Sequence, residues 1–235
     1  ITNRWNEKLK KEISKLDKFI VLTHEDKEAW GNLNNIKVIH NPLTYFPSES
    51  STCSNKNVIA VGRYTWQKGF DILIESWSIV YKKHQDWKLN IYGGGDSISY
   101  QKMAEQKGLS TTSISCNEAV KDIYNKYLDS SFFILSSRFE GFGLVIAEAM
   151  SCGLPTVSFA CPCGPKDIIR DGEDGFLVEN GNIKDLADKI CYLIEHEDER
   201  KSMGKKAKED VKRFDINIIM QQWIDLFNKL MEEKQ

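Results

Sequence analysis

From residue 57 onward the chain alternates short apolar runs with longer amphipathic stretches, a rhythm that few architectures can satisfy. NVIAVG (57–62), WKLNIYG (87–93), TTSIS (111–115), SFFILSS (131–137), PTVSFA (155–160) and GFLVE (175–179) read as strands. Between them lie stretches with apolar residues at helical spacing. The clearest is 69–84, with Phe70, Leu73, Ile74, Trp77 and Val80 on one face. Helices are also expected at 97–107, 118–128 and 143–153, the last closed by Gly153. Further helices are expected at 165–172, 183–196, 197–212 and 216–233. Nearly continuous apolar strands separated by helices predict an α/β fold: a Rossmann-like parallel sheet with helices on both faces.

Upstream, residues 8–18 read as a charged helix, KFIVLT (18–23) as a short strand and EDKEAWGNL as a helix ended by Gly31. IKVIHNPLTYFP (36–47) gives another strand and a Pro-bearing connector, and SESSTCSNKN (48–57) is the most linker-like segment. The expected division is therefore 1–47, 48–213 and a terminal helical segment 214–235. The balance of 32 basic against 34 acidic residues, a net charge of −2, argues against a nucleic-acid-binding surface. No apolar run approaches the ~20 residues of a membrane span. The polar start is not a signal peptide, so the six Cys read as free cytosolic thiols. Cys161-Pro-Cys163 lacks partners at metal-ligand spacing, and His24, His40, His84 and His196 are dispersed. No metal site is expected, and the basic stretch 199–213 reads as a solvated helix.

In a parallel sheet ligands bind beyond the carboxyl ends of the strands, so the informative loops are 62–69, 93–97, 115–119, 136–143 and 160–165. In GRYTWQKGF, Gly62 permits close backbone approach, while Arg63 and Lys68 are cations at a strand's end and suit a diphosphate. The alternative is a solvated loop with two surface cations. In SSRFEGFGLVIAEAMSCG, Gly141 and Gly143 lie where a helix starts and leaves amides free for an anion. Glu140 precedes that start, and Glu148 follows on an otherwise apolar helix. A carboxylate there can accept from a ribose diol or from sugar hydroxyls; alternatively Glu148 bonds backbone amides and Glu140 caps the helix. CPCGPKDII (161–169) offers another strand-to-helix turn, or an ordinary Pro-initiated helix. YGGGD (92–96) lacks the G-x-G-x-x-G spacing and reads as a tight turn.

Taken in order, VGRYTWQKGFDILIESW, IYGGGD, SSRFEGFGLVIAEAMSCGLPTV, CGPKDII and DGEDGFLV resemble the nucleotide-sugar half of family 4 glycosyltransferases, retaining enzymes of the GT-B type, over roughly residues 36–213. The resemblance implies that Arg63 and Lys68 hold the donor diphosphate, that Glu148 binds the ribose and that Glu140 contacts the donor sugar. It also sets Phe142, Gly143 and Leu144 against sugar and phosphates, and Asn117 to Val120 near the base. The CPCGP turn is similar to a variant common among UDP-sugar enzymes of surface-polysaccharide synthesis, which implies a UDP-hexose or UDP-N-acetylhexosamine donor. With no Asp-x-Asp in the chain, the cations stand in for a metal, and no further cofactor is expected.

Such enzymes carry two domains, the first supplying most of the saccharide or lipid-linked saccharide acceptor site. Here residues 1–47 are expected to be a remnant of that first domain. The final helix resembles the one that crosses back to it, leaving Ile218, Ile219, Trp223, Leu226 and Leu230 partly uncovered or self-packed. The expected location is the cytoplasm, with membrane attachment residing in the other half. Two further readings stand beside this one: a nucleotide-sugar-binding module without turnover, and a sugar-nucleotide epimerase of similar architecture, which the Arg63/Lys68 and Glu140/Glu148 set disfavours.

Overall fold

A computed structural model of the chain describes residues 3–234, with side chains described from residue 7. Six strands form one wholly parallel sheet: β3 (Asn57–Val61), β4 (Lys88–Tyr92), β5 (Ile114–Asn117), β6 (Phe132–Leu135), β7 (Thr156–Phe159) and β8 (Gly175–Val178), in the order β5-β4-β3-β6-β7-β8. Every residue of β6 and β7 is buried, which is why those runs carry no alternation. The chain winds outward from β3 through β4 to β5, then returns to β6 and winds the other way. Right-handed crossovers in opposite directions put helices on opposite faces. Thus α3 (Phe70–Tyr81) packs with α8 (Ile183–Glu195) on one face, and α6 (Leu144–Ser151) packs with α9 (Glu197–Asp210) on the other. The apolar face predicted for α3 is the one it buries: Phe70, Leu73, Ile74, Trp77 and Val80. The Trp77 indole is satisfied at 3.0 Å by the Ser113 carbonyl.

Ahead of this sheet, α1 (Asn3–Ile13) is followed by β1 (Phe19–Val21), α2 (His24–Trp30) and β2 (Ile36–Val38), and β1 and β2 form a separate parallel pair. That pair is covered by α10 (Ile216–Glu232): Ile219 and Leu226 are buried with Ile39, and Trp223, Leu230 and Ile20 pack around them. Ile218 is the one member of the predicted α10 face that stays exposed. A second row of Met220, Ile224, Phe227 and Met231 also faces solvent. No helix among the described residues is long and apolar enough to cross a membrane.

Several boundaries differ from expectation, each for a local reason. The first helix ends at Ile13 because Asn35 donates to the Ile13 and Leu16 carbonyls and draws the chain into a turn. β5 begins at Ile114 because a hydroxyl-rich turn takes the preceding amides: Ser113 and Ile114 both donate to Ser110 O. The helix expected over 118–128 is only α5 (Tyr124–Leu128). Residues 118–122 are exposed, and Asp122 accepts from the Asn125 amide groups where the helix starts. The 48–56 segment reads as linker but is pinned, with Ser51 N on Cys152 O and Cys53 O accepting from Arg200 Nε. Arg200 corrects the reading of 199–213 as wholly solvated. It is 1% exposed and donates to backbone carbonyls of Cys53, Leu193 and Ile194.

Candidate functional site

The loops that leave the carboxyl ends of β3 and β6 sit side by side, because those strands are neighbours, yet they depart in opposite directions. This is the switch point at which a parallel sheet opens a crevice. After β3 the chain passes Gly62 and Arg63 into a 3-10 turn (Trp66–Lys68), and Gly69, at φ +63°, then starts α3. A Cβ at Gly69 would lie 2.1 Å from Ser136 O, so only glycine lets the two loops close. The seam is then bonded: Arg138 N donates to Gln67 O at 2.8 Å and Ser136 Oγ to Lys68 O at 2.9 Å.

Across that seam Lys68 Nζ meets Glu140 Oε1 at 2.7 Å, with the two side chains 14% and 7% exposed. Ser137 Oγ donates to the same carboxylate oxygen at 2.6 Å. The Lys68 stem lies over Gly62, where any Cβ would meet it at 3.1 Å. Gly62, Lys68 and Glu140 are thus one cluster. Gly141 is exposed and Gly143, at φ +88°, is the N-cap of α6. The Ile146 amide turns back onto Gly143 O at 2.8 Å, while the Leu144 and Val145 amides ahead of it have no carbonyl four residues back within the helix and carry its positive end. Leu144 begins that turn half-buried. Phe142 is 2% exposed, its ring stacked on His40 and edge-on to Phe214, so only its backbone faces the crevice side. Gly164, at φ +118°, fits against Phe142 O, and a Cβ there would come within 1.8 Å.

The other expected residues lie on the same edge without touching that cluster. Arg63 is exposed, and no bond ties it to Lys68 or Glu140. Glu148 is on α6, one turn beyond Leu144, and accepts from Tyr127 OH at 3.4 Å. Burial raises the Glu148 carboxyl above its ordinary value, an effect the Tyr127 hydroxyl partly offsets. Asn117 ends β5, two strands from β3, where its carbonyl accepts from Tyr64 OH at 2.9 Å. Val120 stands exposed in the loop that follows.

Sequence reasoning missed three supporting groups. Tyr64 donates to the Ile91 and Asn117 carbonyls and binds the ends of β4 and β5 to the β3 loop. Ser137 and Tyr127 each hold an acid. Only Ser137 had a local signal, a hydroxyl three residues before Glu140. The histidines read as dispersed are partly assembled: His24 and His40 lie 5.6 Å apart, and His24, His40 and Asp167 offer metal-ligand atoms within 4.8 Å of one another. Within this group His24 Nδ1 pairs with Asp167 Oδ1 at 2.6 Å, and His40 Nδ1 pairs with Leu22 O at 2.8 Å. A cleft of about 450 Å³ lies at the other end of α6, lined by Ser50–Cys53, Lys201, Lys205 and Lys208. There Lys208 is spent on the Pro47 and Glu49 carbonyls and Ser50 Oγ, which makes it a clamp on that segment.

Residues 46–210 match the family model described as glycosyl transferases group 1. An uncharacterized glycosyltransferase of Haemophilus influenzae is 32% identical over 90% of this chain and 61% of its own length. A poly(ribitol-phosphate) alpha-N-acetylglucosaminyltransferase of Staphylococcus aureus is 34% identical over 88% of this chain and 41% of its own. Among solved structures, TarM superposes with a TM-score of 0.85 at 30% identity, covering 96% of this chain and 46% of that one. A mutant TarM from S. aureus, solved in complex with UDP among other ligands, gives 0.84 at the same identity. The chain thus spans about 40–60% of the length of these curated relatives.

Proposed function

Since this chain belongs to the glycosyl transferases group 1 family, we propose that it is the donor-binding domain of a retaining glycosyltransferase. In this reading it holds a UDP-hexose or UDP-N-acetylhexosamine for transfer to a saccharide or lipid-linked saccharide hydroxyl in surface-polysaccharide synthesis. The observation that carries the proposal is the pairing of the β3 and β6 loops at the switch point. It places Lys68, Glu140 and the amino end of α6 within one crevice edge. The relatives support the chemistry at the level of their names: one transfers N-acetylglucosamine to poly(ribitol-phosphate), and one solved relative holds UDP.

Transfer requires the bond between sugar and diphosphate to break, and negative charge then grows on the departing phosphate. Arg63, Lys68 and the Leu144 and Val145 amides at the start of α6 are the groups proposed to stabilise it, without a resident metal. Each charge-assisted bond contributes roughly 1.5–3 kcal/mol. Glu140, already oriented by Ser137, would accept from hydroxyls of the sugar, and Glu148 from the ribose diol. On the acceptor side, the catalytic groups would come from outside these 235 residues, and a cytoplasmic location belongs to the same proposal.

Calorimetry with UDP, GDP and ADP on the wild-type chain, Arg63→Ala and Glu148→Ala tests the reading. UDP should bind in preference, and each substitution should weaken it at least about tenfold. A chain that ignores UDP, or substitutions that leave its affinity intact, would refute the site. Glycosyl transfer by the chain alone would refute the view that the acceptor-side catalytic groups lie elsewhere.

A further inference from the structure

Two large aromatic side chains stand in solvent on the same two loops that build the donor crevice. Trp66 is 66% exposed and Phe139 is 44% exposed, with ring centroids 6.3 Å apart and planes at 52°. Trp66 is two residues from Lys68 and Phe139 is next to Glu140, so the pair begins within about 7 Å of chain from the Lys68–Glu140 contact. Scattered surface apolar residues need no explanation, but a fixed aromatic pair beside a polar site does.

The pair is fixed from behind. Arg138 lies 4.7 Å over the Trp66 ring and is itself locked by two bonds to Asp71, at 2.9 and 2.6 Å. The same guanidinium donates to Trp66 O at 2.5 Å, and Gln67 Nε2 donates to Phe139 O at 3.0 Å. Asn180 Nδ2 donates to Arg138 O at 3.3 Å. Every one of these contacts immobilises the backbone or one ring face. The Trp66 ring is held by the guanidinium and is presented at little further cost in side-chain entropy, while Phe139 is held at its carbonyl and packs its ring against Trp66.

We propose that Trp66 and Phe139 form a stacking platform for a pyranose ring of the saccharide acceptor, a proposal that rests on the donor-site reading above. A pyranose has an apolar C–H face and a polar rim, which suits an aromatic corner bordered by Gln67, Arg138 and Asn180. Size decides between occupants. Two partly exposed rings offer on the order of 200–300 Å², far short of the roughly 800 Å² per partner of a stable protein interface. The area fits one sugar ring. The platform stands on the two loops that carry Lys68 and Glu140, one or two residues from the groups assigned to the donor.

The test reads saccharide and nucleotide separately on the same chain. Saturation-transfer NMR with maltohexaose, cellohexaose and chitohexaose, with and without UDP, is run on wild type, Trp66→Ala, Trp66→Phe and Phe139→Ala, alongside UDP calorimetry. At least one saccharide should bind wild type. Trp66→Ala should lose at least tenfold in that affinity, Trp66→Phe should retain most of it, and Phe139→Ala should lose several-fold. UDP affinity should stay within twofold throughout. Binding of none of the saccharides by wild type overturns the platform, as do alanine variants that bind like wild type. So does a loss of UDP affinity parallel to any saccharide loss, or self-association that vanishes with Trp66. Failure of wild type to bind UDP would instead strike the donor reading, because the saccharide measurement is also made without nucleotide.

Discussion

Replacing Lys68 by Met separates what this residue does for the fold from what it is proposed to do for a ligand. Its ammonium lies 2.7 Å from a Glu140 oxygen, and the two side chains are 14% and 7% exposed. Deleting one partner of a well-buried pair typically costs 3–5 kcal/mol, because a desolvated charge is left uncompensated. Ser137 Oγ still donates to that carboxylate at 2.6 Å, and the site is not fully enclosed, so the lower end applies, about 3 kcal/mol. For a chain of this length 1 kcal/mol corresponds to roughly 2–4 °C, so Lys68→Met should melt about 6–12 °C below wild type. The double variant Lys68→Met/Glu140→Gln removes the stranded charge and should recover more than half of that loss. UDP affinity should behave differently, falling at least about tenfold in the single variant and staying low in the double. Thermal denaturation followed by circular dichroism, with calorimetry at 25 °C, reads both. A single variant that melts with wild type refutes the energetic reasoning. A double variant that regains UDP affinity refutes the diphosphate role of Lys68.

Other consequences can be checked in the same way. Gly164→Ala should cost about 3 kcal/mol or more in urea unfolding, since it combines φ +118° with a Cβ 1.8 Å from Phe142 O. Gly172→Ala, at φ +76° with open space around it, should cost only about 1–2 kcal/mol. Burial raises the Glu148 carboxyl, so it takes up its proton at higher pH than an ordinary glutamate. UDP affinity should therefore fall as pH is lowered toward the carboxylate range, and Glu148→Gln should flatten that dependence in calorimetric titrations. Asp174 is pushed to about 6, against an ordinary 3.8, mainly by burial and then by Asp210. The folded chain thus binds more protons than the unfolded one between these values, and stability falls as pH rises from about 4 to about 6. Asp174→Asn should raise the melting temperature at pH 7.5 and do so less at pH 4; an equal shift at both would refute the assignment.

The sheet was legible because β3, β6 and β7 are buried on both faces, so their apolar runs are uninterrupted, and because α3 buries the face its spacing marks. The loops carrying Lys68 and Glu140 could be named from their place at strand ends and helix starts. Their direct contact could not, since residues 72 positions apart meet only through the strand order. Hidden for the same reason were the Tyr127–Glu148 bond and the Tyr64 bridge to the ends of β4 and β5. Arg200 misled more fundamentally. Its neighbours Glu197, Glu199 and Lys201 mark a solvated helix, and only the tertiary placement of Cys53 O reveals that position 200 turns inward. Hydroxyl-rich turns also displaced boundaries, as at Ser110–Ser113, where backbone amides bond locally before the strand can use them.

The small β1–β2 pair and α10 hold to each other through a core of Ile39, Ile219 and Leu226, and they meet the main body through His24 on Asp167, Glu25 on Cys163 N and Lys166, and His40 stacked on Phe142. So slight a core can open without disturbing the six-stranded sheet. In native-state hydrogen exchange, the amides of β1, β2 and α10 should lose protection together and at lower free energy than those of β3, β6 and β7. Segments nearly 200 residues apart in sequence would then behave as one leaf, and each opening would also part His24 from Asp167 and His40 from Phe142, so the leaf's movement is felt at the crevice edge.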